Sequence, residues 1–474
     1  MPLTPIQERF FAAASPAPHH FNMSALHVVR GDLDPALLRA ALRQLLIHHD
    51  GLRLRFSLTA AGWQQDHAEP DADGTVPLAV VELSHLSPAE QRTALTSRAS
   101  ELQASLSLSK PLLRMVYFTL GAGQPARLLT VVHHLVIDGV SWRVLLDDLE
   151  TAYQQLAQGQ RVQLPAKTTS YKAWAQWLKD HGPQVAAADL PYWQKLAQTP
   201  ATPLPTDYAP DPSAAPATAQ VSVALSAEKT DALLHAAPAA YNTHINDLLL
   251  TALAKTLSEW TGTAHSLIEL EGHGREALAE TLDPSRTVGW FTSVFPLRLE
   301  LAGEDAGGNL GADLKAIKEQ LRQVPSRGIS YGILRYLQKD SVLRGMPQAP
   351  IGFNYLGQFS PAESTQAPSA SILQGVATED IGPQHSAQTA PPYLIHIDGI
   401  VLSQRLQLDF IYRADHFERA TIQRLADQYL KNLVALIDHC QHCLTAGTGG
   451  FTPSDFPDAA LSQSELDSLI AELG

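Results

Sequence analysis

The apolar positions of this chain fall into short blocks of two periods. Residues 128–132, Leu-Leu-Thr-Val-Val, form an apolar run too short for a helix and β-branched at its end, which predicts a buried strand. The run stops at His133-His134. Ser141 then stands at a cap position ahead of Trp142, Leu145, Leu146, Leu149, Tyr153 and Leu156, a helical spacing that Gly159 is placed to end. A strand thus delivers two histidines into a tight loop. A helix leaves that loop with its first N–H groups, from Gly139 to Val144, gathered near them.

The same patterning predicts helices opened by Thr4-Pro5, by Asp34-Pro35 (running to Gly51) and by Ser87-Pro88 (running to 105). Further helices are expected from the Ser226 cap, over 247–260 behind an Asn246 cap and before Gly262, near 314–322, and over 416–439. Strands are expected at 52–58, 112–120, 127–132, 220–225 and 266–271, with a hairpin of 393–402 and 405–412 turning at Ser403-Gln404. Residues 360–392 read as loop. Residues 199–219, dense in Pro, Ala and Thr, read as a linker between an N-terminal part, 1–198, and a C-terminal part, 220–445. A Gly/Thr hinge then begins a tail, 446–474, that reads as a connector to further sequence, with residues 446–451 expected to be mobile or only loosely docked. Each part has amphipathic helices and a buried strand ending in polar residues, so two α/β halves facing one another would place both strand ends in one cleft.

Composition narrows the function classes. The chain has 474 residues, 45% of them hydrophobic, enough for a full core. A formal net charge of -14 disfavours nucleic acid and anionic membrane surfaces as partners. No apolar run has bilayer-spanning length, and the first residues have neither a basic region nor an apolar signal core. Two cysteines imply no disulfide framework and fit a reducing cytoplasm. They lie in His439-Cys440-Gln-His442-Cys443, and four ligands so close on a helix cannot all face one metal, so no metal site is expected.

Two adjacent histidines on an extended backbone point opposite ways, so one faces the cavity and the other the core. A histidine base beside fixed donors suits removal of a proton next to a carbonyl. Glu271 ends the strand predicted at 266–271 and is either a surface carboxylate or a second acid/base group. Asn354 and Tyr355 are polar in an apolar frame; they either line a cavity or satisfy one another in the core. Ser141 is explained by capping and is no nucleophile candidate.

Four segments in order carry a family resemblance: His133-His134-Leu-Val-Ile-Asp138-Gly139-Val-Ser141-Trp142-Arg143, Glu271-Gly-His-Gly-Arg275-Glu276, Arg286-Thr-Val-Gly-Trp290-Phe-Thr-Ser293 and Asn354-Tyr355-Leu-Gly-Gln358. Together they resemble an epimerization domain of a nonribosomal peptide synthetase, in the condensation-domain superfamily. The opening Pro5-Ile-Gln segment resembles the family's first motif, except that Arg9 stands where a Trp is usual. Ordinary condensation domains share the His-His motif without the Glu271 or Asn354 segments. His19-His20 resembles the extra motif of dual condensation/epimerization domains, but the Gly-Asp that should follow is missing at the needed distance.

The resemblance implies an α/β (mixed α+β) fold of two chloramphenicol-acetyltransferase-like halves in a V-shaped pseudo-dimer, with a tunnel between them for a phosphopantetheine arm. It implies inversion of the α-carbon of an aminoacyl or peptidyl thioester delivered by a partner carrier domain, with no cofactor bound to this chain. His134 and Glu271 would serve opposite faces of the substrate. A helix N-terminus at His134 disfavours imidazolium, and desolvation would raise the Glu271 pKa. His133 and Asp138 would be structural, with Asp138 paired to Arg275. Gly139 and Ser141 would shape the loop, and Trp290, Ser293, Asn354 and Tyr355 would line the cleft. The expected partners are an upstream carrier domain with its adenylation domain and a downstream condensation domain, the excised domain itself being monomeric. A condensation acyltransferase using the same His134, or a non-catalytic domain that recruits a carrier, are the rival readings.

Overall fold

Residues 1–70, 76–200, 203–209, 217–303, 309–359, 371–459 and 461–473 are described in the computed structural model. The strands of the first half are β1 (Asn22–Val29), β2 (Leu54–Thr59), β3 (Gly62–His67), β4 (Leu78–Glu82), β5 (Leu113–Thr119) and β6 (Ala126–His133). Those of the second half are β7 (Thr218–Ala224), β8 (His265–Gly272), β9 (Ser293–Glu300), β10 (Ile351–Phe359), β11 (Leu373–Val376), β12 (Ile395–Leu402) and β13 (Arg405–Arg413). They form a five-stranded sheet in the order β11-β1-β6-β5-β4, a six-stranded sheet in the order β7-β13-β12-β10-β8-β9, and the β2-β3 hairpin.

The first sheet is covered on both faces, which explains the unbroken apolar run of its central strand. On one side Leu129 and Val131 of β6, with Val116 and Phe118 of β5, pack with Leu95, Ala99 and Leu102 of the helix Pro88–Gln103. On the other side Leu128 and Val132 join a core that includes the mutually packed helices Pro35–His48 and Gly139–Ala157. Every residue from Leu128 to His133 is buried.

The second sheet has two unlike faces. Leu270, Phe353, Ile397 and Phe410 lie side by side across β8, β10, β12 and β13 and are at most 5% exposed. They belong to the same core as the packed helices Ile245–Thr261 and Arg419–Ala446. The neighbouring row, Glu269, Gly352 and His396, is polar, and one step further Asn354 pairs with Asp398 beside the end of β8. Alternation along the strands puts these rows on the opposite face. Arg9, from the helix Pro5–Ala12 of the first half, donates to Glu269 at 2.7 Å, so the polar face looks toward the first half.

Several expectations are corrected. The helix after the histidines begins at Gly139 with Asp138 as its cap, the Asp138 carboxylate accepting from Ser141 N–H at 2.7 Å. Asp is as good a cap as Ser, and placing it one turn earlier frees the Ser141 hydroxyl for a tertiary role. The helix expected behind Asn246 begins at Ile245 behind His244, and the last long helix begins at Arg419 behind Glu418. The region read as loop contains β11, which leaves the second half and pairs antiparallel with β1 of the first. Residues Gln384 and Ser386 continue along the first half through backbone bonds to Asn22 and His20. The linker expectation at 199–219 falls partly on residues outside the described ones.

The tail is seated more firmly than expected. Gly450 N–H donates to Ala240 O at 3.1 Å, Thr452 is fully buried, and Lys318, 1% exposed, pairs with Asp455 at 2.7 Å. The apolar periodicity that marks packing is absent from residues 446–451, but a polar anchor four residues beyond holds them.

Candidate active site

The loop between β6 and the helix Gly139–Ala157 is stitched to the second half by an ion-paired frame. Arg275 Nη2 reaches both oxygens of Asp138, at 3.0 and 3.2 Å, with both side chains nearly inaccessible. The same guanidinium donates to Ser141 Oγ and Thr287 O and lies 4.1 Å from the Phe291 ring centroid. Phe291 N–H also donates to Asp138, at 3.0 Å. Ser141 Oγ donates to Gly289 O at 2.8 Å and accepts from Gly289 N–H at 3.0 Å, so its hydrogen-bonding capacity is filled. The expected Asp138–Arg275 pair is therefore present, within a wider network.

Two glycines let this frame close. Gly274 has φ of +65°, and a Cβ there would fall 1.7 Å from Phe291 O. A Cβ on Gly289 would fall 2.2 Å from the Tyr171 ring. Tyr171 in turn donates to Trp290 O at 2.9 Å, which fixes the backbone that presents the Trp290 ring.

The two histidines part as extended backbone requires. His133 is fully buried, with Nε2 on Pro18 O at 2.8 Å and Nδ1 accepting from Leu135 N–H at 3.1 Å. Both ring nitrogens are used, and burial holds its pKa down to about 3, so the ring is neutral. His134 is partly exposed, and its buried Nδ1 has no hydrogen-bond partner among the described residues. Its ring stacks on Phe21, with centroids 5.2 Å apart, and lies 4.6 Å from Trp290.

Burial lowers the His134 pKa, while the backbone of its own loop and Asp138 act in the opposite sense. Burial, rather than the helix N-terminus, is thus what disfavours the imidazolium. Asp138 occupies that terminus, taking the Ser141 N–H with its carboxylate and the Trp142 N–H with its carbonyl, so the donors expected to gather there are partly engaged.

Glu271 is the last but one residue of β8, on the polar face of the second sheet. Its carboxylate makes no hydrogen bond to a described protein group, and burial raises its pKa. Its electrostatic neighbours are His396, Asp398, Arg9 and Glu269. His396 Nε2 meets Asp398 Oδ1 at 3.0 Å. Asp398 also acts on His385, whose ring stacks on the far side of the cluster against Phe21 at 4.7 Å and interacts with His134. His134, His385, Asp398 and Glu271 are thus electrostatic neighbours in turn, each coupled by charge to the next, across the junction of the two halves.

The remaining expected residues take different places. Trp290 and Ser293 line a narrow, mostly apolar cavity with Thr4, Arg9 and Phe291. Trp290 Nε1 and Ser293 Oγ are buried there without a protein partner among the described residues. Asn354 shares the row of Asp398. Tyr355, the next residue, is paired with Gly399, packs against the apolar core, and feels the charge of Arg143 on the helix after the histidines. No hydrogen bond joins Asn354 to Tyr355, as expected for neighbours on opposite sides of a strand. Gly139 is the first residue of its helix, where nothing crowds a Cβ.

Arg9, Glu269, His385, His396, Asp398 and Tyr393 were not singled out as site residues from the sequence. The polar alternation of His396 and Asp398 in an apolar strand was a usable signal, as was an Arg in the first motif. His385 stands in a segment without periodicity.

Among the described residues, His48, His49 and Asp148 bring three possible metal ligands within 4.8 Å of one another. Both Asp148 oxygens are already engaged, by His49 at 2.9 Å and Arg286 at 2.6 Å, and that guanidinium opposes a cation.

Comparison with known proteins places this frame in a family. Residues 1–447 match the model of the condensation domain, and the chain belongs to the condensation-domain family, that of nonribosomal peptide synthetases. It is similar to part of a linear gramicidin synthase of Brevibacillus parabrevis, 44% identical over all of this chain and 6% of that protein. It is likewise 43% identical to chondramide synthase of Chondromyces crocatus, over all of this chain and 12% of that protein. The chain spans between 6% and 12% of the length of these relatives and of a second linear gramicidin synthase subunit. Among solved structures, the epimerization domain from the third module of tyrocidine synthetase B superposes with a TM-score of 0.82 at 32% identity, over 93% of this chain and 96% of that one. SgcC5 of Streptomyces globisporus, at 19% identity and TM-score 0.71, shares the fold over 93% of this chain and 99% of its own. No helix among the described residues is long and apolar enough to cross a membrane.

Proposed function

We propose that this domain inverts the α-carbon of an aminoacyl or peptidyl group held as a thioester on the phosphopantetheine arm of a carrier domain. One observation carries the reading. His134 of the first half and Glu271 of the second are partly buried titratable groups, the His134 Nδ1 and the Glu271 carboxylate having no hydrogen-bond partner among the described residues, while the polar groups framing them, Asp138, Arg275, Ser141 and Glu269, are engaged. Groups left unengaged at the junction are available to a substrate.

In the forward step the α-C–H bond breaks, its proton passes to one of the two groups, and the electron pair moves into the thioester carbonyl as an enolate. The other group then delivers a proton to the opposite face and the enolate returns to the carbonyl. Burial lowers the His134 pKa and raises that of Glu271, directions that suit a neutral base and a carboxyl acid on opposite faces. No redox change or further reactant is needed. The indole N–H of Trp290 and the Ser293 hydroxyl, both without protein partners among the described residues, are the donors we assign to the developing oxyanion. The carrier domain, with the adenylation domain that loads it, would lie upstream and a condensation domain downstream, as parts of a longer synthetase.

The match to the condensation-domain model favours a second reading, amide formation with the same His134. One experiment separates them. A carrier domain loaded with an L-aminoacyl group is incubated with the protein in deuterated water and the product is hydrolysed. D-product carrying deuterium is expected; amide formation with an added acceptor and no deuterium would establish the second reading. Replacing either His134 or Glu271 by Ala or Gln should stop net inversion. The variant that keeps the L-face base should still wash deuterium into L-substrate, and its mirror should not. Net inversion within about tenfold of the parent in one variant, less than general-base catalysis is usually worth, would remove that residue from the mechanism.

A further inference from the structure

Glu269 and Glu271 stand on the same side of β8, two residues apart, the first buried and the second partly so. Two carboxylates so placed repel, and one needs an opposite charge to remain. Arg9 supplies it from the other half. Its Nη2 meets Glu269 Oε2 at 2.7 Å and Tyr393 Oη at 3.1 Å, and the Tyr393 hydroxyl donates to the same oxygen at 2.7 Å. Glu269 is 4% exposed and the Arg9 side chain 18%.

We propose that Arg9 is a positioning residue for Glu271: its ion pair with Glu269 anchors β8 to the helix Pro5–Ala12, and its charge offsets Glu269 so that a second carboxylate is tolerated on the same face of the strand. The inference rests on the reading of Glu271 given above. The groups facing Glu271 are Arg9 from that helix, Glu269 on its own strand, His396 and Asp398 on β12, and Tyr393 just before it. Arg9 and His396 favour the carboxylate, and Glu269 and Asp398 oppose it.

The test is a pH titration of the Glu271 carboxyl by infrared difference spectroscopy, its band identified by loss in Glu271→Gln. Arg9→Met should raise the midpoint by about one pH unit, the smaller end of what one nearby charge does. Arg9→Lys should stay close to the parent, and Glu269→Gln should lower the midpoint. Arg9→Met leaves Glu269 buried without its cation and risks misfolding. The double variant Arg9→Met/Glu269→Gln removes both charges and should titrate near the parent. A midpoint that is the same in folded Arg9→Met, Arg9→Lys and parent proteins would overturn the inference, because a purely structural helix–strand contact predicts no charge dependence. Whether Glu271→Gln still inverts the loaded carrier is read separately, and decides the catalytic reading without touching this one.

Discussion

Asp138 accepts from Ser141 N–H, Phe291 N–H and Arg275, and it is 4% exposed. Removing it costs a helix cap and strands a buried guanidinium. Asp138→Ala is expected to lose about 3–5 kcal/mol of unfolding free energy, and Asp138→Asn less, because the amide oxygen still accepts. Urea melts at constant pH check both. Buried histidines set a second residue-level expectation. His27 and His385 are held down to about 4 and His133 to about 3, burial being the first cause in each. These rings stay neutral in the folded protein, whereas in the unfolded chain they take a proton near 6.5. Their stabilisation is complete above that pH and is lost as pH falls toward 4, at up to about 1.4 kcal/mol per unit per ring. The urea midpoint should therefore fall through this window, and His27→Leu should flatten the slope. The histidine pair and Glu271 were legible because each ends a predicted strand. Arg9–Glu269 and His49–Asp148–Arg286 were not, because they join residues separated by hundreds of positions or by elements whose packing no local pattern reports.

At the level of elements, the tail shows how a polar anchor can replace an apolar stripe. Lys318 in the helix Leu310–Arg322 is buried, and its ammonium is met by Asp455 and Tyr241 O. Ending the chain after Phe456 keeps these contacts and should leave the melting temperature unchanged. Ending it after Gly447, or making Asp455→Ala, leaves the ammonium without its anion and should cost about 3–5 kcal/mol. Equal melting of all these forms by calorimetry would show the tail to be dispensable. Helices were legible where caps punctuate them: Asp34, Ser87 and Ser226 open their helices, and Gly262 closes one in the left-handed region. Strands β1, β3, β4, β9, β10 and β11 have no counterpart in the predicted elements. Asn22–Val29 mixes polar and apolar residues on both faces because it is sandwiched by neighbours from distant sequence, and four residues of β11 give no period at all.

The whole molecule is interlaced in both directions. The second half lends β11 to the first sheet, while Trp193, near the end of the first half, donates its indole N–H to Ser330 at 3.0 Å. Breaking one half must disturb the other, so heat should unfold the chain in one transition with calorimetric and van't Hoff enthalpies equal. Two resolved transitions would show that the halves hold themselves up independently.

That exchange of a strand also governs how the unit can be transplanted. A chimaera joined in the Pro/Ala/Thr-rich stretch would pair one parent's β1 with another parent's β11, and a mismatched register at Val28–Val29 would flip the side chains of the borrowed strand. Cutting points for assembly-line grafts therefore lie outside the span from the first helix to Asp455, and recombination within it has to keep the donor's 373–386 segment with the donor's 20–29 segment.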